Sequence, residues 1–305
     1  MRETRTISGR MKAFRLASLI SLCAWAFAAD AQANERIVSI GGSVTEILYA
    51  LGLQDSVAAV DTTSLFPPEA LKKKPNVGYM RALSAEGVLA LKPSMVLTAE
   101  GAGPPAALAS LRESGVRLLM IPDEPSAAGV QRKILAVGEA TGSREPAQRL
   151  VKRVAARFDA LALLREKIGA AKRVLFVLSN SGGRTVVGGK STSADAMIAL
   201  AGATNAAASI DGFKPMSGEA IVAAAPDIIL TMRRDGVSGQ EIATTPAFAM
   251  TPAVKTGAIV EMDGNYLLGF GPRAPDAARD LMAAFYPDQT FPALQGGKGD
   301  DGGER

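Results

Sequence analysis

The stretch Leu83-Ser-Ala-Glu-Gly-Val-Leu-Ala-Leu-Lys-Pro-Ser-Met-Val-Leu-Thr98 aligns without gaps on Met216-Ser-Gly-Glu-Ala-Ile-Val-Ala-Ala-Ala-Pro-Asp-Ile-Ile-Leu-Thr231, 133 positions later. Six of the sixteen positions are identical: the Ser, Glu, Ala, Pro, Leu and Thr. Each copy reads as a Ser-capped helix, a proline that cannot continue it, and an apolar run with the length of a buried strand. Any helix-proline-strand unit drifts toward such a pattern, but recurrence at this distance also fits two related lobes in one chain.

Working outward, residues 37–40 form a largely β-branched apolar run followed by Gly41-Gly42 and then Ser43-Val-Thr-Glu46. That last string is a capping-box pattern and predicts a helix from Ser43 to near Gly52. Apolar runs at 57–60, 95–98 and 116–121 alternate with helical patterns around 84–91, 105–113 and 127–140. Strands alternating with helices imply a parallel sheet. Residues 143–169 break the rhythm, with apolar residues recurring at helical spacing through Leu150, Val154, Phe158, Leu161 and Leu164, and read as one helix of unusual length. Alternation then resumes at 173–178, 191–201, 217–225, 227–232, 258–262 and 274–285. The expected organisation is α/β, with two Rossmann-like lobes at 34–142 and 170–292 joined by a single long helix at 143–169. A Gly-rich, charged tail at 293–305 is expected to be disordered.

The first 33 residues read as an export signal: five cations precede an apolar stretch at 16–29, and Ala31-Gln32-Ala33 offers a small-x-small cleavage site. That stretch is too short to span a bilayer. Leu22 stands where a lipobox before Cys23 needs a small residue, and Met11 offers a second start. The expected location is the periplasm, or the cell exterior, without membrane insertion after cleavage. Five cations against two acids leave +3 of the formal +4 on this segment and +1 on the rest, too little to displace counterions from a nucleic acid. With 48% hydrophobic and 21% charged residues, the remaining chain can bury an ordinary core.

The chain has no histidine, and its only cysteine, Cys23, and only tryptophan, Trp25, both lie in the export segment. Zinc fingers, iron-sulfur cages and His-based triads are therefore excluded from the exported protein. Metal chemistry is left to carboxylate, phenolate, thioether or amine groups. Gly78-Tyr79-Met80-Arg81 and Gly212-Phe213-Lys214-Pro215, the strings before the two repeat copies, are expected to be loops that meet across a crevice at the strand ends. A phenol two residues from a guanidinium is a candidate hard anionic ligand for ferric iron, because Arg81 can stabilise the Tyr79 phenolate. Alternatively, Tyr79 packs its ring in a core and bonds its hydroxyl to backbone. Glu86 and Glu219 each fall two residues after a helix N-cap serine, where a carboxylate is exposed and favoured by the helix dipole. They read either as a matched pair of contact points or as solvated first-turn acids. Two other strings carry no chemistry: Gly183 to Ser191 has one residue too many for a phosphate loop, and Gly101-Ala-Gly103-Pro-Pro lacks the third spaced glycine of a dinucleotide fingerprint.

Arg36-Ile-Val-Ser-Ile-Gly-Gly-Ser-Val-Thr-Glu46, Val77-Gly-Tyr-Met-Arg-Ala-Leu-Ser-Ala-Glu-Gly87 and Gly212-Phe-Lys-Pro-Met-Ser217 resemble the periplasmic haemin-binding proteins of bacterial haem ABC importers. The resemblance extends over essentially the whole exported chain. It implies a class III (cluster A) periplasmic solute-binding fold, with haem b as transported ligand between the lobes and no catalysed reaction. It further implies Tyr79 as the axial ligand of the haem iron and Arg81 as its phenolate partner. The macrocycle would lie against Met80 and Phe213, with Lys214 and an arginine of the Arg233-Arg234 pair as cations at the site; Arg234 is preferred. Glu86 and Glu219 would dock on the permease in the inner membrane. Some relatives use a histidine in the second lobe for another haem, and this chain has none. The alternatives are a cobalamin- or ferric-siderophore-binding protein of the same fold, or a periplasmic two-domain enzyme using Asp61 or Asp195 as base.

Overall fold

The computed structural model describes residues 35–181, 184–233 and 239–295. The expected signal peptide and Arg234 lie outside the described residues. In chain order the first lobe comprises β1 (Ile37–Ile40), α1 (Gly42–Ala50), β2 (Val57–Val60), α2 (Pro68–Lys73), α3 (Ala85–Leu89), β3 (Met95–Ala99), α4 (Pro105–Glu113), β4 (Arg117–Ile121) and α5 (Ala127–Ala140). Its four strands are all parallel, in the order β2-β1-β3-β4. β1 and β3 are buried throughout, as strands covered on both faces must be. The period of two sends Ile37, Met95 and Leu97 to one apolar cluster and Val38, Ile40 and Val96 to another across the sheet.

The long helix is α6 (Arg144–Arg165), 22 residues or about 33 Å. The five apolar residues read from its sequence, Leu150, Val154, Phe158, Leu161 and Leu164, are all buried. Each contributes about 2 kcal/mol of apolar burial, so the linker is a fixed part of the core. Gly138 of α5 permits the close turn into it, because a Cβ there would stand 2.3 Å from the Cβ of Ala147.

The second lobe follows as β5 (Arg173–Ser181), β6 (Arg184–Gly188), α7 (Ser193–Leu200), β7 (Thr204–Asn205), β8 (Phe213–Met216), α8 (Gly218–Ala224), β9 (Ile228–Arg233), α9 (Gly239–Thr244), α10 (Pro246–Ala249), α11 (Pro252–Lys255), β10 (Ile259–Asp263), α12 (Gly264–Leu268) and α13 (Ala274–Phe285). Its sheet runs β10-β9-β5-β6-β8, with β7 paired to the start of β5. β6 is antiparallel to β5 and β8, so this sheet is mixed rather than parallel. α13 packs on α6, and Arg157 of α6 is ion-paired with Asp276 of α13. The tail boundary moves outward: Leu294, placed in the disordered tail by the sequence, is buried in the main core.

Both copies of the repeat fold alike. The Ser84 hydroxyl accepts from the Gly87 N–H and that of Ser217 from the Ala220 N–H, each at 3.2 Å. Lys92 and Ala225, aligned in the repeat and each followed by proline, both adopt left-handed backbone with φ of 49° and 42°.

Candidate functional site

The carboxyl ends of β1, β2 and β3 lead into three loops that together carry the phenol. Gly41, at φ 109°, makes the turn after β1; a Cβ there would come 2.7 Å from that of Ala99. The predicted capping box is not formed. The N-cap of α1 is Gly41, and Ser43 and Glu46 are inside the helix and buried. The double-glycine turn starts the helix two residues early, which frees both side chains for contacts described below.

Asp61, fully buried after β2, accepts from the Gly41 N–H (2.9 Å), the Thr63 N–H (3.0 Å), the Thr63 hydroxyl (2.7 Å) and the Ser64 hydroxyl (2.9 Å). Its lone pairs are spent on holding this loop, which leaves it no geometry for work as a base. Asp195, the other candidate base, lies in the first turn of α7, where its N–H donates to the hydroxyl of the N-cap Thr192 (3.1 Å) and its carboxylate accepts from Asn205 Nδ2 at 2.9 Å.

The Tyr79 loop is pinned on both sides. The Thr62 N–H donates to the Gly78 carbonyl (2.9 Å), the Gly103 N–H to the Met80 carbonyl (2.9 Å), and the Leu83 N–H to the Gly103 carbonyl (2.9 Å). The Gly78 N–H donates to Asn76 Oδ1 at 2.8 Å, and the Ala82 N–H to the Tyr79 carbonyl at 2.8 Å. Met80 turns inward and packs against both clusters of the first lobe. Tyr79 turns outward: the residue is 48% exposed, and its hydroxyl has no hydrogen-bond partner among the described residues. The core-packed alternative for this tyrosine is therefore not realised. Arg81, two residues further along, is exposed and makes no ion pair with a described residue.

The second lobe corrects one expectation. Residues 213–216 are an edge strand, β8, rather than a loop, with Pro215 tolerated because the strand is outermost. Phe213 pairs with Gly188, while Val187 sits in the row of Val177 and Thr231. Phe213 thus stands about three residues, roughly 10 Å, back from Arg233 at the end of β9. Its ring meets Phe176 edge-on at 6.3 Å, within its own lobe. Lys214 follows it on the exposed edge, and Met216 ends β8 nearer the crevice. Arg233 is exposed at the rim, in register with Asp263.

What joins the rims is a strap, residues 263–273, that sequence reading did not detect. The Arg273 N–H and Nη2 donate to the two carboxylate oxygens of Glu46 at 2.9 and 3.1 Å. The guanidinium lies 3.5 Å from the Phe66 ring centre and 4.9 Å from that of Tyr266. Asn265 Nδ2 donates to the Thr63 carbonyl. Lys133, fully buried, donates to Ser43 Oγ (3.2 Å), Asp123, and the carbonyls of Gly269 (3.2 Å) and Phe270 (3.1 Å). Phe270 adopts φ 45° as its carbonyl turns to that ammonium. Burial pushes the Glu46 carboxyl up despite the opposing pull of Arg273 and Lys133. The hydrogen bonds from the strap to the first lobe span 136 to 227 positions, beyond the reach of any local pattern.

Glu86 and Glu219 are both exposed in first turns of matched helices. The backbone N–H of Glu219 and the Ser217 hydroxyl hold its carboxyl below the usual range, so it stays ionised at neutral pH.

Residues 37–266 match the periplasmic binding protein family. The chain is 32% identical over 260 residues to an uncharacterized ABC transporter substrate-binding lipoprotein, YvrC, of Bacillus subtilis, covering 84% of this chain and 81% of the relative. A 107-residue stretch is 37% identical to a vitamin B12-binding protein of Yersinia pestis, about 35% of each chain. Among solved structures, the apo periplasmic heme-binding protein RhuT from Roseiflexus superposes with a TM-score of 0.79 at 42% identity, covering 83% of this chain and 98% of that one. The heme-binding protein BhuT, in complex with two hemes, gives 0.79 at 36% identity with the same coverage. Two α/β lobes on one long helix, with strand ends facing across a strapped crevice, agree with these matches: the chain belongs to the periplasmic binding protein family, as a substrate-binding protein of the ABC-transporter type.

Proposed function

We propose that this chain binds haem at the interlobe crevice through the Tyr79 phenolate and delivers it to an ABC permease. One observation carries the reading: a pinned loop presents the only exposed tyrosine among the described residues, the other three being buried or half-buried. Burial pushes the phenols of Tyr49, Tyr266 and Tyr286 up, and the last two already hydrogen-bond to Asp280 and to the Gly202 carbonyl. Tyr79 alone combines exposure with a hydroxyl free for a ligand, in an exported chain without imidazole or thiolate. Coordination by ferric iron stabilises the phenolate directly, and Arg81 supplies a cation beside it. Met80 backs the loop, and Arg233 offers a propionate partner from the opposite rim. Phe213 and Lys214, set back along β8, extend the apolar and cationic surface away from that rim. Glu86 and Glu219 dock on the permease from corresponding positions of the two lobes. The similarity to heme-binding proteins over nearly their whole length supports this ligand class.

A corrinoid is the second reading, favoured by the partial match to vitamin B12-binding proteins. Titrating purified protein with haemin, cyanocobalamin and a ferric siderophore, followed by absorbance, separates them. Saturable change with haemin alone is expected; saturation by cyanocobalamin with a silent haemin titration would overturn the haem reading.

A further inference from the structure

The two lobes share a second matched device, built by arginines that lie outside the sequence repeat on acceptors within it. Arg36, just before β1, donates from Nε to the Lys92 carbonyl (3.2 Å) and from Nη2 to the Leu91 carbonyl (2.8 Å), past the end of α3. Arg173, first residue of β5, donates from Nε and Nη2 to the carbonyl of Ala224, the last residue of α8, at 3.2 and 2.9 Å. The repeat aligns Leu91 with Ala224. The main chains match too. The Arg36 N–H donates to Ser94 Oγ (2.9 Å) and the Ser94 N–H returns to the Arg36 carbonyl (3.0 Å). The Arg173 N–H donates to Asp227 Oδ2 (2.8 Å) and the Asp227 N–H returns to the Arg173 carbonyl (2.8 Å). Ser94 and Asp227 occupy one position of the repeat.

α3 and α8 have five and seven residues, too few to hold their shape alone. Each is fixed at its start by the serine cap and at its end by a guanidinium on carbonyls where the helix dipole favours a cation. Each runs back from the crevice rim to the starting end of its lobe's strands. The acid in its first turn is thereby referenced to a rigid sheet. We propose that Arg36 and Arg173 are positioning residues that hold Glu86 and Glu219 at a fixed separation for a permease. This rests on the docking reading of the two glutamates given above.

The test uses spheroplasts of the source bacterium lacking their own copy of this protein, supplied with purified haemin-loaded variants, with haemin uptake followed against protein concentration. Arg36→Met and Arg173→Met are expected to bind haemin as wild type does, because the clamps lie at the strand starts and Tyr79 at the strand ends. Their half-saturating concentration for uptake should rise roughly two- to fivefold at an unchanged maximal rate. Combined with Glu86→Gln, Arg36→Met should add nothing further; combined with Glu219→Gln, its effect should multiply. Arg36→Lys keeps one bond to the carbonyls and should lie between, and it carries the test should the methionine variant fail to fold. Wild-type uptake by the arginine variants while the glutamine variants are impaired would overturn the positioning role, as would effects that multiply within one lobe. Unimpaired uptake by Glu86→Gln and Glu219→Gln would overturn the docking reading itself.

Discussion

Glu46 shows how one residue can be read correctly in type and wrongly in role. Its spacing from Ser43 signals a capping box, yet the Gly41-Gly42 turn moves the helix start upstream and sends the carboxylate to Arg273 of the other lobe. Geometry alone suggests an ion pair that strengthens with ionisation, but burial is the larger influence and raises the carboxyl above its ordinary 4.5. The folded group then holds its proton at pH values where the unfolded one has released it. Its contribution to stability is full below about 4.5 and declines as pH rises through the raised value. In denaturation series, the advantage of wild type over Glu46→Gln should therefore be greatest at low pH and shrink toward neutrality. An advantage that grows with pH would contradict this. Tyr79 is the opposite case, since Gly-Tyr-x-Arg was legible in the sequence and its exposure is what the structure adds. Arg36 and Arg173 gave no signal, because a surface arginine before an apolar strand is common and its acceptors lie more than fifty residues away.

At the scale of elements, runs of β-branched residues and helical periodicity located nearly every strand and helix of the first lobe, where each strand is parallel and the central β1 and β3 are buried on both faces. Legibility failed where pairing rather than propensity decides. The Phe213-Lys-Pro-Met216 segment holds a proline and exposes its first three positions, so only its place beside β6 makes it a strand. The strap at 263–273 likewise has no pattern of its own and is defined by what grips it. Lys133 is central to that grip, with four acceptors around one buried ammonium. Lys133→Met should cost about 3 kcal/mol, since three neutral acceptors and Asp123 lose their donor. Amides of residues 264–271 should exchange faster while those of β3 stay protected. Equal acceleration across both sheets would show that the strap has no separate stability.

For the whole molecule, the long helix and the strap tie the lobes at two places, one through the continuous core along α6 and one at the crevice floor. Such a frame restricts hinge closure, so ligand affinity has to come from contacts preset at the rims. Small-angle scattering should show the radius of gyration changing by less than about 1 Å when haemin binds. A contraction of several ångströms would mean that the strap opens in the free protein.

The central claim is that one phenolate holds the iron. Tyr79→Phe removes a single oxygen from an exposed ring and leaves the pinned loop intact. Wild-type protein titrated with haemin should develop the charge-transfer absorbance of a ferric phenolate and a high-spin ferric resonance, and the phenylalanine variant should show neither while remaining folded. The same two signals in both proteins would contradict the account.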